Sequence, residues 1–174
     1  IAAEKAGIIK NREAVVISAP QEPEAQEVIR ARCREIGAKL YEVGKDIKCA
    51  GWNVGFKLHA PGYKIENLRI NLLGRHQLIN AGVAVALVKA LGNYGIEVED
   101  AAIKKGLLDT RWPGRCEVIS QNPLVVLDGA QNIASSQALK KAIRENFQYR
   151  KLILVLGVSQ DKDIKGVCSQ LAGL

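Results

Sequence analysis

The chain has few of the residue types that build metal sites or nucleic-acid interfaces. Its 174 residues include no methionine, two histidines, four cysteines and 5% aromatic residues. Because the cysteines lie far apart and form no C-x-x-C pair, we expect free thiols rather than a zinc site. The scattered Lys and Arg residues argue against nucleic acid as a partner, although the net charge of +7 suits some anionic ligand.

Long apolar runs are also missing. No run approaches the roughly 18 to 20 residues needed to cross a bilayer, and charges interrupt the first residues, unlike a signal peptide. We therefore expect a cytoplasmic protein with no membrane partner. Hydrophobic residues make up 48% and charged residues 25%, which is typical of a globular domain. The first ten residues look like the middle of a helix without a cap, so we expect the chain to begin inside a longer protein.

The hydrophobic pattern of residues 14–72 changes its period once. A β-branched run at residues 14–19 precedes a helical pattern that stops at Gly37, which predicts a strand, a loop and a helix. From Leu40 the period becomes two, which predicts antiparallel strands with one exposed face and a turn at Pro61 and Gly62. The residues expected on the buried face are Trp52, Val54, Phe56, Leu58, Ile65, Leu68, Ile70 and Leu72.

A break in regular structure divides the remaining pattern. Two helices are predicted before it, at 78–91 and 97–108, and the first is apolar on nearly all sides and should be buried. The Pro- and Gly-containing segment 109–115 predicts a domain boundary. Beyond it the pattern predicts strands at CEVIS, LVVLD and KLILVLG, and helices at 135–147 and 161–171. This alternation indicates an α/β layer with mainly parallel pairing.

The strongest local signal for chemistry is VVLDGAQN, at residues 125–132. Asp128 ends an apolar strand, in the position where open α/β sheets bind ligands, and a helix N-terminus that could hold an anion follows. The alternative is that Asp128 and Asn132 only cap the turn and the helix. Asp161, in SQDKD, opens a second loop of the same kind and is open to the same alternative.

Two further motifs gather polar side chains. GRHQLINA places His76, Gln77 and Asn80 at the start of a buried helix, where buried polar groups need partners or a ligand. In RWPGR, Arg111 and Arg115 flank a Pro-Gly hinge and could clamp a phosphate between two domains, or simply be surface residues of a linker. The chain contains no phosphate-binding G-x-x-x-x-G-K-[ST] loop, no G-x-G-x-x-G and no G-x-S-x-G.

Taken in order, EKAGIIK, SAPQEPEA, GRHQLINA, RWPGRCE, LDGAQN and SQDKD resemble the folylpolyglutamate synthase and dihydrofolate synthase family, relatives of the Mur ligases. The resemblance runs from residue 1 to about 166. It implies an α/β fold in which residues 1–110 are the C-terminal part of an ATP-binding central domain with a small antiparallel sheet. Residues 111–174 would be the N-terminal part of a Rossmann-like glutamate-ligase domain. We expect this incomplete piece alone to be inactive and to bind ATP weakly.

The activity implied is that of an ADP-forming amide ligase. Enzymes of this family transfer the γ-phosphate of ATP to a carboxylate of folate or dihydropteroate, and the amino group of L-glutamate then attacks the acyl phosphate. The implied cofactors are ATP and Mg²⁺, with folate or dihydropteroate and L-glutamate as substrates. We expect a monomer.

The resemblance also assigns residues. Lys5 matches the lysine that the family carbamylates beside its magnesium site. Asn80, Arg115 and Asp128 match residues that bind the nucleotide, and no direct metal ligand is expected within the chain. The weaker candidates for substrate binding or support are His76, Gln131, Asn132 and Asp161.

Gln131 and Ile133 depart from the Asp-Gly-Ala-His-Asn-Pro run of the family. Glutamine can donate a hydrogen bond, but it cannot become cationic or exchange a proton near neutral pH. An inactive ligase-like protein is therefore one alternative. A non-catalytic basic module that binds an anion is the other.

Overall fold

The computed structural model describes all residues from Ile1 to Leu174. The strands are β1 Val15–Ser18, β2 Lys39–Glu42, β3 Lys48–Trp52, β4 Gly55–Ala60, β5 Tyr63–Leu68, β6 Glu117–Gln121 and β7 Leu124–Leu127. The helices are α1 Ala2–Ala6, α2 Pro23–Ile36, α3 Arg75–Ala90, α4 Asp100–Asp109, α5 Ile133–Asn146 and α6 Ile164–Leu171, with a 3-10 turn at Leu91–Tyr94. No helix has the length and apolar character needed to span a bilayer.

The chain opens with two parallel strands joined by a helix. β1 pairs with β2, and α2 makes the crossover that parallel neighbours require. The helix ends where Gly37 takes a left-handed φ of 76°, as the sequence predicts, and its N–H bonds to helical carbonyls. One side of α2 buries Cys33 against Ala6 and Ile9, so α1 packs onto α2.

A three-stranded antiparallel sheet, in the order β3-β4-β5, forms the floor of the main core. Its inward residues are less than 4% exposed, and they are Phe56, Leu58, Ile65 and Leu68. The predicted burial of Trp52 and Val54 is wrong, since they are 51% and 81% exposed. The chain turns between β3 and β4 at that point, and residues at a hairpin turn lie beyond the face that the helix covers.

Helix α3 covers this sheet. It buries Leu78, Ala81 and Val85 in the same core as the strands. The predicted burial of this helix applies to one face only, because Leu87 is 45% exposed. A helix that lies on a sheet buries one face, and Ala84 and Leu87 lie on the other.

Residues 111–174, the second part, contain a hairpin and two helices. β6 and β7 pair antiparallel, so the prediction of mainly parallel pairing is wrong here, since a loop of two residues can only join antiparallel strands. The predicted buried strand at 151–157 is also wrong. This segment pairs with no other strand, and Ile153 and Val155 are 78% and 90% exposed. An apolar run favours burial, but a strand also needs a hydrogen-bonding neighbour.

The second part packs against the beginning of α3. Its small core of Cys116, Ala142 and Ile143 includes Leu73 from the loop before α3, and α5 contacts α3. The connecting residues 110–116 contain neither helix nor strand. The predicted boundary at 110/111 therefore falls in an irregular segment that follows α4, and the division into two domains stays a prediction.

Candidate functional site

A cleft of about 500 Å³ lies where α3 meets the segment that follows α4. Helix α3 contributes His76, Gln77 and Asn80 to its lining, and the segment contributes Trp112 and Arg115. Apolar residues of the main core complete the wall. The fold thus brings GRHQLINA and RWPGR, two motifs that are distant in the sequence, into one cavity.

The start of α3 presents an ordered amide pair to this cleft. Asn80 and Gln77 are three residues apart, so their side chains share one helix face, and Asn80 Nδ2 donates to Gln77 Oε1 at 3.0 Å. Gln77 is only 5% exposed, which fixes the position of the acceptor. The bond orients the more exposed Asn80 amide and leaves its Oδ1 open to a donor from a ligand.

Gly74 lets the two parts approach each other beside His76. A Cβ at Gly74 would lie 2.7 Å from His76 Cε1 and 3.1 Å from the Cβ of Ala142 in α5. Burial lowers the pKa of His76; the carboxylate of Asp128 opposes this effect and the nearby Arg115 adds to it. We therefore expect a neutral imidazole at pH 7, able to donate and accept one hydrogen bond each.

Asp128 connects the end of β7 to the Pro-Gly hinge of RWPGR through hydrogen bonds. Its Oδ2 accepts a hydrogen bond from the Cys116 N–H and its Oδ1 accepts one from the Ala130 N–H, both at 2.8 Å. The adjacent Gly129 N–H donates to Gly114 O at 2.8 Å. Asp128 thus caps the turn, as the local alternative proposes, and it also fixes the backbone next to Arg115. Direct contact of Asp128 with a nucleotide stays a prediction.

Asn132 is the N-cap of α5. Its Oδ1 accepts from the Ser135 N–H at 2.9 Å, and Ser135 Oγ accepts from the Asn132 N–H at 3.0 Å, which completes a capping box. The Gln131 N–H donates to the same hydroxyl at 3.0 Å, and the Gln131 residue is exposed. Asn132 therefore caps α5, and neither residue lines the cleft. A role of Asn132 or Gln131 in substrate binding stays a prediction.

Asp161 lies outside the cleft on the exposed segment before α6. Its carboxylate accepts from Lys162 Nζ at 2.6 Å, and this bond lowers the pKa of Asp161. The helix begins at Ile164 rather than at 161, because Asp163 is the N-cap and its Oδ1 accepts from the Gly166 N–H at 2.8 Å. The capping role in this loop thus belongs to the second aspartate.

Lys5 is exposed in the last turn of α1, away from the cleft lining. Its carbamylation stays a prediction. No three His, Cys, Asp or Glu side chains of the chain are grouped in a way that could hold a metal ion.

Sequence reasoning overlooked Trp112 and Glu117. Trp112 is 63% exposed and lines the cleft next to Arg115. Glu117 Oε2 accepts from the Gly114 N–H at 2.8 Å and so helps to fix the hinge. A tryptophan between two arginines, in a chain with two tryptophans in all, was the available signal.

Comparison with known proteins shows which family the chain is similar to. Residues 114–174 match the Mur ligase, glutamate ligase domain. Over 98% of its length the chain is 31% identical to the dihydrofolate synthase/folylpolyglutamate synthase of Bacillus subtilis (strain 168). Over nearly its whole length the chain is homologous to members of the folylpolyglutamate synthase and dihydrofolate synthase family. It covers 41% of the Bacillus protein, so it spans about two fifths of the length of such relatives.

Solved structures of family members agree with the fold. Folylpolyglutamate synthase from Mycobacterium tuberculosis, complexed with ADP and AMPPCP, matches with a TM-score of 0.91 at 29% identity over 99% of this chain and 40% of that one. Escherichia coli FolC in complex with DHPP and ADP matches with a TM-score of 0.83 at 28% identity over 99% and 39%. The predicted α/β fold with a small antiparallel sheet and a Mur-ligase-type C-terminal domain is confirmed.

Proposed function

We propose that the protein to which this chain belongs is an ADP-forming ligase that adds L-glutamate to folate, to dihydropteroate, or to both. The observation that carries the proposal is that Asn80 and Arg115 line one cleft. Arg115 comes from the part that matches the glutamate ligase domain, and Asn80 comes from α3 before it. Family members bound to ADP, AMPPCP or DHPP support the same assignment.

The lining of the cleft fits a nucleotide. Its volume of about 500 Å³ is in the range of small-molecule sites. The Arg115 guanidinium can hold a phosphate through two parallel hydrogen bonds. Asn80 can offer an oriented amide to a base or ribose, and Trp112 can offer an aromatic face. A neutral His76 adds a donor and an acceptor without adding charge.

The proposed reaction has two steps. A carboxylate oxygen of the pterin substrate bonds to the γ-phosphorus of ATP, and the bond from that phosphorus to the β–γ bridging oxygen breaks to release ADP. The nitrogen lone pair of glutamate then attacks the carbonyl carbon of the acyl phosphate. The tetrahedral intermediate expels inorganic phosphate, and the nitrogen loses its extra proton. In both steps Arg115 would position phosphate oxygens and balance their charge.

Mg²⁺ is the metal we propose for the complete protein, because it neutralises charge on transferring phosphates. The described residues hold no metal cluster. We therefore assign no magnesium ligand within them. A carbamate on Lys5 would add one carboxylate-like group, and mass spectrometry of the intact protein tests for it.

Incorporation of labelled glutamate into folate or dihydropteroate by the full-length protein tests the proposal. We expect Arg115→Ala to lower kcat/KM by roughly 10- to 100-fold, the usual effect of losing hydrogen bonds from a charged group. Asp128→Ala should also lower it, by freeing the hinge backbone. Arg111→Ala is the matched control, because this arginine bonds to Leu108 O and Thr110 O at 3.1 Å and does not line the cleft. Unchanged rates in Arg115→Ala and Asp128→Ala would contradict the site assignment, and no incorporation by the wild type would contradict the function.

A pseudoenzyme is the second candidate, and Gln131 is the observation that favours it. The residue is exposed in the loop between Asp128 and α5. The family resemblance of the sequence implies a histidine at this position. If the protein is inactive for lack of an imidazole, Gln131→His should produce turnover. If the wild type already turns over and Gln131→His changes the rate little, this candidate is rejected.

A further inference from the structure

One side chain outside the cleft connects three elements of the two parts. Arg75 is the first residue of α3. Its guanidinium carbon lies 4.1 Å from the ring centroid of Trp52, at the end of β3. Its Nε lies 3.3 Å from Glu145 Oε1, in the last turn of α5. The face of the guanidinium thus stacks on residues 1–110, the first part of the chain. Its edge forms an ion pair with the second part, residues 111–174.

This contact lies next to the walls of the cleft in the sequence and in the fold. On α3, Arg75 immediately precedes His76 and is little more than one turn before Asn80, both of which line the cleft. On α5, Glu145 lies three residues after Ala142, the residue that Gly74 approaches. A movement of α5 away from α3 would therefore break the ion pair and widen the junction beside the cleft.

We propose that Arg75 is a positioning residue that holds the second part, and with it Arg115, against the start of α3. Trp52 orients the guanidinium, since a planar cation stacked on an aromatic ring has fewer conformations to lose when it binds a carboxylate. The catalytic consequence rests on the proposed ligase function, whereas the structural consequence does not.

The contact is weak enough to form and break reversibly. The Arg75 and Glu145 side chains are 51% and 25% exposed, and exposed ion pairs and cation–π contacts are individually weak. Such a contact favours the arrangement in which α5 lies against the start of α3, but it does not make that arrangement permanent. Its loss lowers the fraction of protein that is ready to bind, which raises the apparent dissociation constant by the same factor.

The test uses the full-length protein with Arg75→Ala, Glu145→Gln and the exchanged pair Arg75→Glu with Glu145→Arg. Each single change should raise KM for ATP about two- to fivefold with kcat nearly unchanged, as expected for one weak exposed contact. The exchanged pair should recover part of that loss, because it restores the ion pair but places no cation on Trp52. Arg75→Lys keeps the charge but loses the planar stack, so it should raise KM less than Arg75→Ala does.

A second readout does not depend on activity. Spin or fluorescent labels on Lys57→Cys in β4 and on the exposed Cys168 in α6, with other accessible cysteines replaced, report the distance between the parts. Its distribution should broaden in Arg75→Ala and narrow again in the exchanged pair. If the wild type shows no ligase activity, this distance still decides the role of Arg75, so the two proposals fail separately.

Lys64→Ala is the matched control. Lys64 is about as exposed as Arg75 and forms a pair with Glu66, Nζ to Oε1 at 2.7 Å, but within β5. It should change neither KM nor the distance distribution. The proposal is overturned if Arg75→Ala leaves both readouts unchanged, if the exchanged pair restores neither, or if Lys64→Ala has the same effect. If the Arg75 variants fail to fold, Glu145→Gln carries the test, because it removes the ion pair and leaves Arg75 and Trp52 unchanged.

Discussion

Replacing Gly74 by alanine should disturb the junction between the two parts, whereas the same substitution at Gly62 should not. The residue has φ 102° and ψ 145°, a conformation that is essentially restricted to glycine. The added Cβ would also lie 2.7 Å from His76 Cε1 and 3.1 Å from the Ala142 Cβ. The imidazole would have to turn away, and α5 would have to retreat by a few tenths of an ångström.

The magnitude follows from these two effects. Backbone strain of this kind costs roughly 1–3 kcal/mol, and overpacking a close contact costs about 1–3 kcal/mol more. Gly62→Ala is the control, because Gly62 also has a positive φ, of 87°, but a Cβ there would meet nothing within 4 Å. Gly74→Ala should therefore reduce the free energy of unfolding by about 1–3 kcal/mol more than Gly62→Ala.

Thermal unfolding followed by circular dichroism measures the difference. For a chain of this size, 1 kcal/mol corresponds to roughly 2–4 °C in Tm. Because the His76 ring lines the cleft, Gly74→Ala should also weaken ATP binding in the full-length protein, and Gly62→Ala should not. Equal losses of Tm in the two variants would show that α5 does not approach Gly74 closely and would refute this reasoning.

Three further predictions concern local features. Asn132→Ala removes the capping box of α5 and should cost about 1 kcal/mol in thermal unfolding. His76→Gln should flatten the dependence of Tm on pH. Burial lowers the pKa of His76 in the folded chain below 6.5, so the unfolded chain is the first to bind a proton at this imidazole as the pH drops. Wild-type stability therefore falls as pH drops below about 6.5. Arg30→Ala should lower Tm more than Arg34→Ala, because Arg30 binds the Glu42 carboxylate, whose side chain is only 11% exposed, at 2.8 and 3.1 Å. A larger loss in Arg34→Ala, or an unchanged pH profile in His76→Gln, would contradict these expectations.

Local patterns predicted much of the fold. The helix that stops at Gly37 and the hairpin at Pro61 and Gly62 depend on short-range rules of periodicity and turn conformation, and both are present. The predictions that failed concern which strands pair with each other and which residues a strand buries. The apolar run at 151–157 has no neighbouring strand in the chain, and β6 pairs antiparallel with β7 because a short turn joins them. Trp52 alternates correctly for a buried strand, but it lies at the end of one.

The candidate site shows the same limit. The motif resemblance selected Asn80, Arg115 and His76, and the structure brings all three to one cleft. The pattern did not tell whether Asp128 and Asn132 bind a ligand or cap backbone, since the same residue types do both. Hydrogen-bond geometry shows that both cap backbone, and a contact of either with a ligand stays a prediction.

The family, the fold class and the order of most helices and strands followed from the sequence, because motifs, periodicity and turn residues act over a few positions. The tertiary structure alone decided which distant residues meet. Arg75 with Trp52 and Glu145 is the clearest case, since the three residues occupy separate elements and no spacing predicts their contact. Gly74 likewise looks like an ordinary helix-start glycine until α5 packs beside it. Such contacts depend on how the helices and strands are packed, and periodicity within one element does not record that packing.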